Sequence, residues 1–283
     1  MKNKIGIMVD SFKLGLHEGI RKAGELSVKG LQIYAVSGEM DPERLDKLQR
    51  KALLREIRSN GLTVAALCGD LGGYGFTKEE ENPVKIEKSK RIMHLARDLE
   101  CGVVTTHIGV IPEDENCQRY AVLQNACEEL GNFADDVGAC FAIESGPEKA
   151  AILRKFLDSL HSHGVRVNLD PANFIMVTGD DPVAAVYMLK DYIVHTHVKD
   201  GIMLRQENPE TIYNFFAQGG IGDLHLGDYF METPLGEGKV DFDRYFAALR
   251  EVGYEGFYTI EREVGEKPVQ DIAKAVEFLR AKL

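Results

Sequence analysis

No apolar run in this 283-residue chain approaches the roughly 20 residues that cross a bilayer. The amino-terminal MKNKIGIMVD offers only about five apolar residues before Asp10, too few for the core of a secretion signal. The five cysteines (Cys68, Cys101, Cys117, Cys127 and Cys140) are odd in number and scattered, with no CxxC pair. That pattern argues against a disulfide framework or a thiolate zinc site and for reduced, structural thiols. Positive charge is short: 34 Lys and Arg stand against 45 Asp and Glu, a net charge of −11. Such a balance disfavours nucleic acid or an anionic membrane as partner. A cytoplasmic location is the expectation, resting only on missing signals.

What is present is the material for a large core, with 44% hydrophobic and 28% charged residues. Short β-rich runs at 5–9, 31–34, 64–68, 103–107, 140–144, 165–170, 193–198 and 256–261 alternate with amphipathic stretches. The latter predict helices at about 13–26, 42–59, 85–100, 116–137, 148–162, 181–190, 241–252 and 268–282. Asp41-Pro42-Glu43 and Asp181-Pro182 read as helix starts, and Gly61, Gly102, Gly138 and Gly164 stand where helix-ending glycines belong. Eight βα units predict a single α/β domain over 1–283, a (β/α)8 TIM barrel. An open nucleotide-binding sheet is disfavoured. Its first turn, Asp10-Ser11-Phe12-Lys13-Leu14-Gly15, lacks G-x-G-x-x-G, and the other glycine cluster, at 69–75, is weak.

One connection is too long for a barrel loop. Between Asp200 and Val240 lie about forty residues, including a helix start at Asn208-Pro209-Glu210 and the aromatics Tyr213, Phe215, Phe216, Tyr229 and Phe230. A satellite helix on the rim, a substrate lid and a subunit contact all fit this composition, and a homo-oligomer, dimer or tetramer, is expected.

Barrel enzymes work at the carboxyl ends of their strands. Glu144 ends the fifth run, Asp170 the sixth and Glu261 the eighth, while His197 stands near the end of the seventh. Neighbouring strands are about 4.8 Å apart, so four inward side chains at one height converge. Three carboxylates and an imidazole at one point need a cation. Oxygens plus one nitrogen suit one divalent ion, Mn²⁺, Mg²⁺, Co²⁺ or Zn²⁺. His195, one layer deeper, reads as a hydrogen-bonded core histidine. Strict alternation from Asp170 would turn Asn168 and Arg166 inward, so a bulge or a position past the strand end is required for Asp170.

Ala142-Ile143-Glu144-Ser145-Gly146-Pro147-Glu148, Asn168-Leu169-Asp170-Pro171-Ala172-Asn173, His195-Thr196-His197-Val198-Lys199-Asp200, Pro234-Leu235-Gly236-Glu237-Gly238 and Thr259-Ile260-Glu261-Arg262-Glu263 form a set of motifs. Together they resemble the sugar phosphate isomerase/epimerase superfamily of xylose isomerase-like TIM barrels. The resemblance spans essentially the whole chain. It implies that Glu144, Asp170, His197 and Glu261 bind one divalent metal and that Glu144 and Glu261 are also the catalytic acid and base. His107, Asn173, Lys199 and Glu148 are the expected contacts to a small carbohydrate substrate. Asn173 stands where similar ketose 3-epimerases carry a histidine, which separates this chain's substrate range from theirs.

The implied chemistry is proton transfer next to a carbonyl through a metal-stabilised enediolate. Return of the proton gives a sugar isomerase or epimerase. Loss of a β-substituent instead would give a lyase, acting as a keto-inositol dehydratase or by elimination from a keto-sugar. An abasic-site endonuclease is disfavoured by Asn173, by the lack of an Asp-x-His before Gly236 and by the net charge. A non-catalytic barrel subunit is the remaining class.

Overall fold

Eight parallel strands close into a barrel in the computed structural model, which describes residues 4–283. In chain order the elements begin β1 (Lys4–Met8), α1 (Leu16–Glu25), β2 (Gly30–Tyr34), α2 (Lys47–Ser59), β3 (Thr63–Cys68), α3 (Asn82–Asp98), β4 (Val103–Thr106) and α4 (Gln118–Val137). They continue with β5 (Cys140–Glu144), α5 (Ala150–Asp158), β6 (Val165–Leu169), the short α6 (Pro171–Asn173) running into a π-helical turn, and α7 (Pro182–Leu189). The last are β7 (Ile193–Val198), β8 (Asp200–Met203), α8 (Pro209–Gln218), β9 (Phe230–Thr233), α9 (Phe242–Glu251), β10 (Phe257–Ile260) and α10 (Pro268–Lys282). Strands β1 to β7 and β10 form the wall, and β1 closes it by pairing with β10. The expected (β/α)8 barrel is the fold.

Alternation along the strands sorts the side chains into two cores. Leu31, Ile33, Phe141, Ile143, Val198 and Ile260 are buried between wall and helices. The eight covering helices meet them with Ile20, Ile57, Leu95, Leu130, Leu153, Leu189, Leu249 and Leu279, all 0% exposed. Each such side chain contributes roughly 1.5–3 kcal/mol by leaving water. Inside the barrel, by contrast, buried Gln32 on β2 reaches across to His195 on β7.

Two helix-boundary expectations need correction. The second helix starts at Lys47, not at 42, because Asp46 and Gln49 form a reciprocal capping box, while Asp41 accepts the Glu43 amide within a turn. Gly102 and Gly164 are not left-handed cap residues. After α3 the left-handed residue is Glu100 (φ 58°), and Gly164 serves close packing instead, since a Cβ there would lie 2.2 Å from the Gly131 carbonyl oxygen.

The long connection leaves and re-enters the barrel at one point, Asp200. Its carboxylate accepts the amides of Gly201, Gly236, Gly238 and Val240 at 2.9–3.1 Å. Gly238 has to be glycine, because a Cβ would sit 2.1 Å from Asp200 Oδ1. Beyond this neck β8 and β9 pair as an antiparallel hairpin, from Asp200 opposite Thr233 to Met203 opposite Phe230. Between them α8 is capped by the Asn208 side chain and tied down by buried Ile212 and by an Arg119–Glu210 ion pair. No helix among the described residues is long and apolar enough to cross a membrane.

Candidate active site

The four residues that end the strands come together. One ligand-capable atom from each of Glu144, Asp170, His197 and Glu261 lies within 4.8 Å of the others, and all four residues are buried. Glu144 closes β5, and His197 pairs in register with Thr259 of β10 two residues before Glu261. Asp170 reaches the cluster from just past β6. Asn168 and Asp170, two residues apart, both turn inward, and the β6–β7 register shifts just before them, between Val167 and Asn168. Asp170 also starts α6: its Oδ1 accepts the amides of Ala172 and Asn173 at 2.8 and 3.0 Å, and its own amide donates to Ser145 Oγ at 2.9 Å. Its second oxygen, Oδ2, is buried with no hydrogen-bond partner among the described residues.

Gln32 sets the imidazoles. Its Oε1 accepts from Nε2 of both His195 and His197 at 3.0 Å, and its Nε2 donates to Thr105 Oγ1 at 2.9 Å. An amide oxygen only accepts, so Gln32 favours a proton on Nε2 of both rings. Nδ1 of His197 then faces Glu261 at 3.2 Å, Asp170 at 3.4 Å and Glu144 at 3.5 Å. Burial disfavours charge on His197, yet Glu261 and Glu144 outweigh it and hold the ring well above its ordinary range. For His195, burial, reinforced by the His197 charge, outweighs Glu261 and drives the ring down to about 3, so it is the neutral core histidine expected. Glu261 is desolvated too, but His197 and Lys199 hold it well below the ordinary carboxylate value.

The remaining expected contacts line the same mouth. Asn173 Nδ2 donates to Glu144 Oε1 at 3.2 Å and to the Ser145 carbonyl at 3.3 Å, while Asn168 Nδ2 donates to Glu144 Oε2 at 3.3 Å. This fit requires Gly146, where φ is +126° and a Cβ would lie 2.1 Å from that of Asn173. Lys199 Nζ donates to Glu261 Oε2 at 3.1 Å and to Glu263, with Glu232 at 3.9 Å. Arg262 in turn binds Glu232 at 2.6 Å and Asp271 at 3.2 Å. His107 Nδ1 pairs with Asp70 Oδ2 at 3.1 Å, and its Nε2 is 3.7 Å from Glu144 Oε1. Glu148 is buried, and desolvation pushes its carboxyl up to about 8.

Sequence reasoning did not single out Gln32, Ser145, Asp70, Glu232 or Arg262. Ser145 and Arg262 stand inside the quoted motifs without a role of their own, and Gln32 left a local signal as a lone amide in the apolar strand Gly30-Leu31-Gln32-Ile33-Tyr34.

A divalent ion fits these residues. Asp170 Oδ2 lacks a partner, His197 presents Nδ1, and three carboxylate oxygens with one nitrogen form a donor set for a hard or borderline cation. Comparison with known proteins shows the family. The chain is similar to L-ribulose-5-phosphate 3-epimerases: it is 40% identical to that of Salmonella heidelberg (strain SL476) and 25% to that of Escherichia coli (strain ATCC 8739), covering 95% of this chain and 94% of the relative in each case. Among solved structures, a xylose isomerase domain protein from Planctomyces limnophilus superposes with a TM-score of 0.79 at 25% identity, over 99% of this chain and 97% of that one. The sequence profile of the xylose isomerase-like TIM barrels matches residues 20–282, and this chain belongs to that family.

Proposed function

We propose that this protein is a divalent-metal-dependent isomerase or epimerase of a keto-sugar. Glu144, Asp170, His197 and Glu261 would hold the ion, and Glu144 and Glu261 would move the proton. The observation that carries the reading is that two glutamates face one buried point from strands separated by β6 and β7, each held by its own partners. Asn168 and Asn173 orient Glu144, and Lys199 orients Glu261. The relatives named as 3-epimerases support the same class.

A bound divalent ion supplies the positive charge that acidifies a carbon next to a chelated carbonyl. Glu144 and Glu261 then approach that carbon from opposite faces, one removing the proton and the other returning it. Asn173 and Asn168 keep Glu144 aimed, with the side-chain amides donating to the charged carboxylate. Lys199 does the same for Glu261 and keeps it ionised. Burial of the cluster excludes water that would otherwise compete for the proton.

Incubation with keto-sugars in D2O, followed by NMR, tests the class. Deuterium should enter the carbon beside the carbonyl and an epimer or aldose isomer should appear, without loss of a substituent. Glu144→Gln and Glu261→Gln should each lower turnover by roughly 10²–10⁴-fold, the usual cost of losing a general base. Near-normal turnover by both variants with metal retained would overturn the acid and base roles of the two glutamates, and net elimination would place the protein among lyases.

A further inference from the structure

Glu261 stands one residue past the end of its strand. The pairing of β10 with β1 and with β7 stops at Ile260, and from Glu261 to Lys267 the chain runs irregularly before α10 begins. The Glu261 amide still reaches the Val198 carbonyl, at 3.3 Å. The proposed ligand and base therefore opens a loop, where a side chain is held less precisely than on a strand.

Two side chains from distant segments tie that loop down. Ser11, in the turn after β1, accepts the Arg262 amide through Oγ at 3.0 Å. Glu232, on β9 of the long insertion, accepts the Glu263 amide at 3.1 Å through Oε1 and at 3.3 Å through Oε2. The two amides that follow Glu261 are thus fixed from opposite ends of the chain.

Glu232 breaks the pattern of its strand. Its apolar neighbour Met231 is 48% exposed, whereas Glu232 is 9% exposed. Burial of apolar surface would reverse that order, so the inward carboxylate answers another need. Its charge is matched by Arg262, whose Nη1 donates to Oε1 at 2.6 Å, and Arg262 is held in turn by Asp271 of α10 at 3.2 Å. Lys199 Nζ, which donates to Glu261 Oε2 at 3.1 Å, lies 3.9 Å from Glu232 Oε2. Glu232 therefore meets Glu261 by two routes, through the backbone that follows it and through the ammonium beside it. The neck at Asp200 makes this possible, since it gathers the insertion and sets Gly201 opposite Glu232 in the hairpin.

We propose that Glu232 is a positioning residue for Glu261, so that the long insertion serves as a buttress for a metal-binding and proton-transferring carboxylate. Glu232 touches no reacting atom. It fixes the Glu263 peptide and holds Arg262 against the loop, and so sets the direction in which Glu261 leaves the strand end. A displacement of about 1 Å at such a group costs on the order of 10²-fold in rate. The proposal rests on the reading of Glu261 as ligand and base.

Three variants of the full chain separate reach from charge. Glu232→Ala removes the acceptor, Glu232→Asp keeps the charge but withdraws it by one methylene, and Glu232→Gln keeps an oxygen at the right distance. Mn²⁺ affinity, measured without substrate by competition with a fluorescent chelator, should fall about tenfold in Glu232→Ala, at the low end for loss of a partner that orients a ligand. It should fall about threefold or more in Glu232→Asp and stay within about twofold in Glu232→Gln. With a keto-sugar that the parent converts, kcat should follow the same order while KM stays within about threefold, because no substrate contact is removed. Asp271→Asn, which loosens Arg262 on the side away from Glu261, should stay within about twofold of the parent in both measurements.

A lowered unfolding temperature in Glu232→Ala with Mn²⁺ affinity and kcat at parent levels would leave only a structural role and overturn the proposal. So would a loss in Asp271→Asn equal to that in Glu232→Ala. If Glu232→Ala does not fold, the other two decide, and a loss in Glu232→Gln as large as that in Glu232→Asp overturns it. A parent that binds Mn²⁺ but converts no keto-sugar refutes the isomerase reading alone, since the affinities still test the placing of Glu261. A parent that does neither removes both.

Discussion

His195 and His197 stand two residues apart on β7, point the same way and share the same acceptor, Gln32 Oε1, at 3.0 Å. Their chemistry is opposite. One layer into the barrel, His195 meets the amide and the edge of the His197 ring, and burial together with the His197 charge holds it neutral, down to about 3. At the mouth, His197 meets Glu261, Asp170 and Glu144 within 3.5 Å and is held well above its ordinary value. Both rings are fully buried. Desolvation is therefore common to the pair, and the three carboxylates make the difference. A rise of two residues along a strand, about 6.6 Å, separates a neutral structural imidazole from one whose Nδ1 faces three carboxylates, where a divalent ion would replace the proton they hold on that nitrogen.

The largest break in this pair is expected from His197→Ala. Loss of one of four ligands should reduce bound Mn²⁺ in protein dialysed against the ion and should lower turnover by at least 10²-fold, in the range of losing a catalytic group. Retained metal stoichiometry and activity would show that His197 resembles His195 after all.

Gln32→Leu comes next, because it frees both Nε2 protons while leaving every proposed ligand in place. Removing a partner that orients a ligating histidine typically costs 10–100-fold in metal affinity. Competition with a fluorescent chelator would measure this. Unchanged affinity would mean that Gln32 acts on His195 alone.

The third prediction uses acid titration. The unfolded chain protonates His195 near its ordinary value of 6.5, but the native chain does so only near 3. Between those values the unfolded state binds a proton that the native state does not. Stability falls with falling pH by up to ~1.4 kcal/mol per unit from this group. In urea titrations from pH 6.5 to 4.5, His195→Gln should show a shallower decline than the parent, and equal slopes would contradict a neutral core histidine.

The smallest effect concerns Glu148, whose native carboxyl is pushed up to about 8 while the unfolded one ionises near 4.5. As pH rises through that window the unfolded chain gives up a proton that the native chain keeps, so stability declines. Glu148→Gln should gain on the parent progressively from pH 5 to 8 in thermal unfolding, and a constant difference would place Glu148 in a better solvated setting.

The alternation of short apolar runs with amphipathic stretches already determined eight strand–helix units around a parallel sheet, whereas the closure of that sheet, β1 against β10, is a property of the tertiary structure. The same local pattern put Glu144, Asp170, His197 and Glu261 at successive strand ends, where strand spacing forces convergence. His195 was legible as core for the same reason, one layer down.

Other features arose only in three dimensions. The start of α2 at Lys47 turned on one reciprocal hydrogen-bond pair at Asp46 and Gln49, which competed locally with the Asp41-Pro42 signal. Gln32, some 160 residues before His195 in the chain, meets it only because β2 and β7 face each other across the barrel. Tyr213 reaches His107 because Asp200 gathers both ends of the long insertion and returns α8 over the mouth. Hydrophobic periodicity acts over neighbouring residues and is written in the chain. A hydrogen bond or ring contact between distant segments depends on closure and on loop path, which no local pattern encodes.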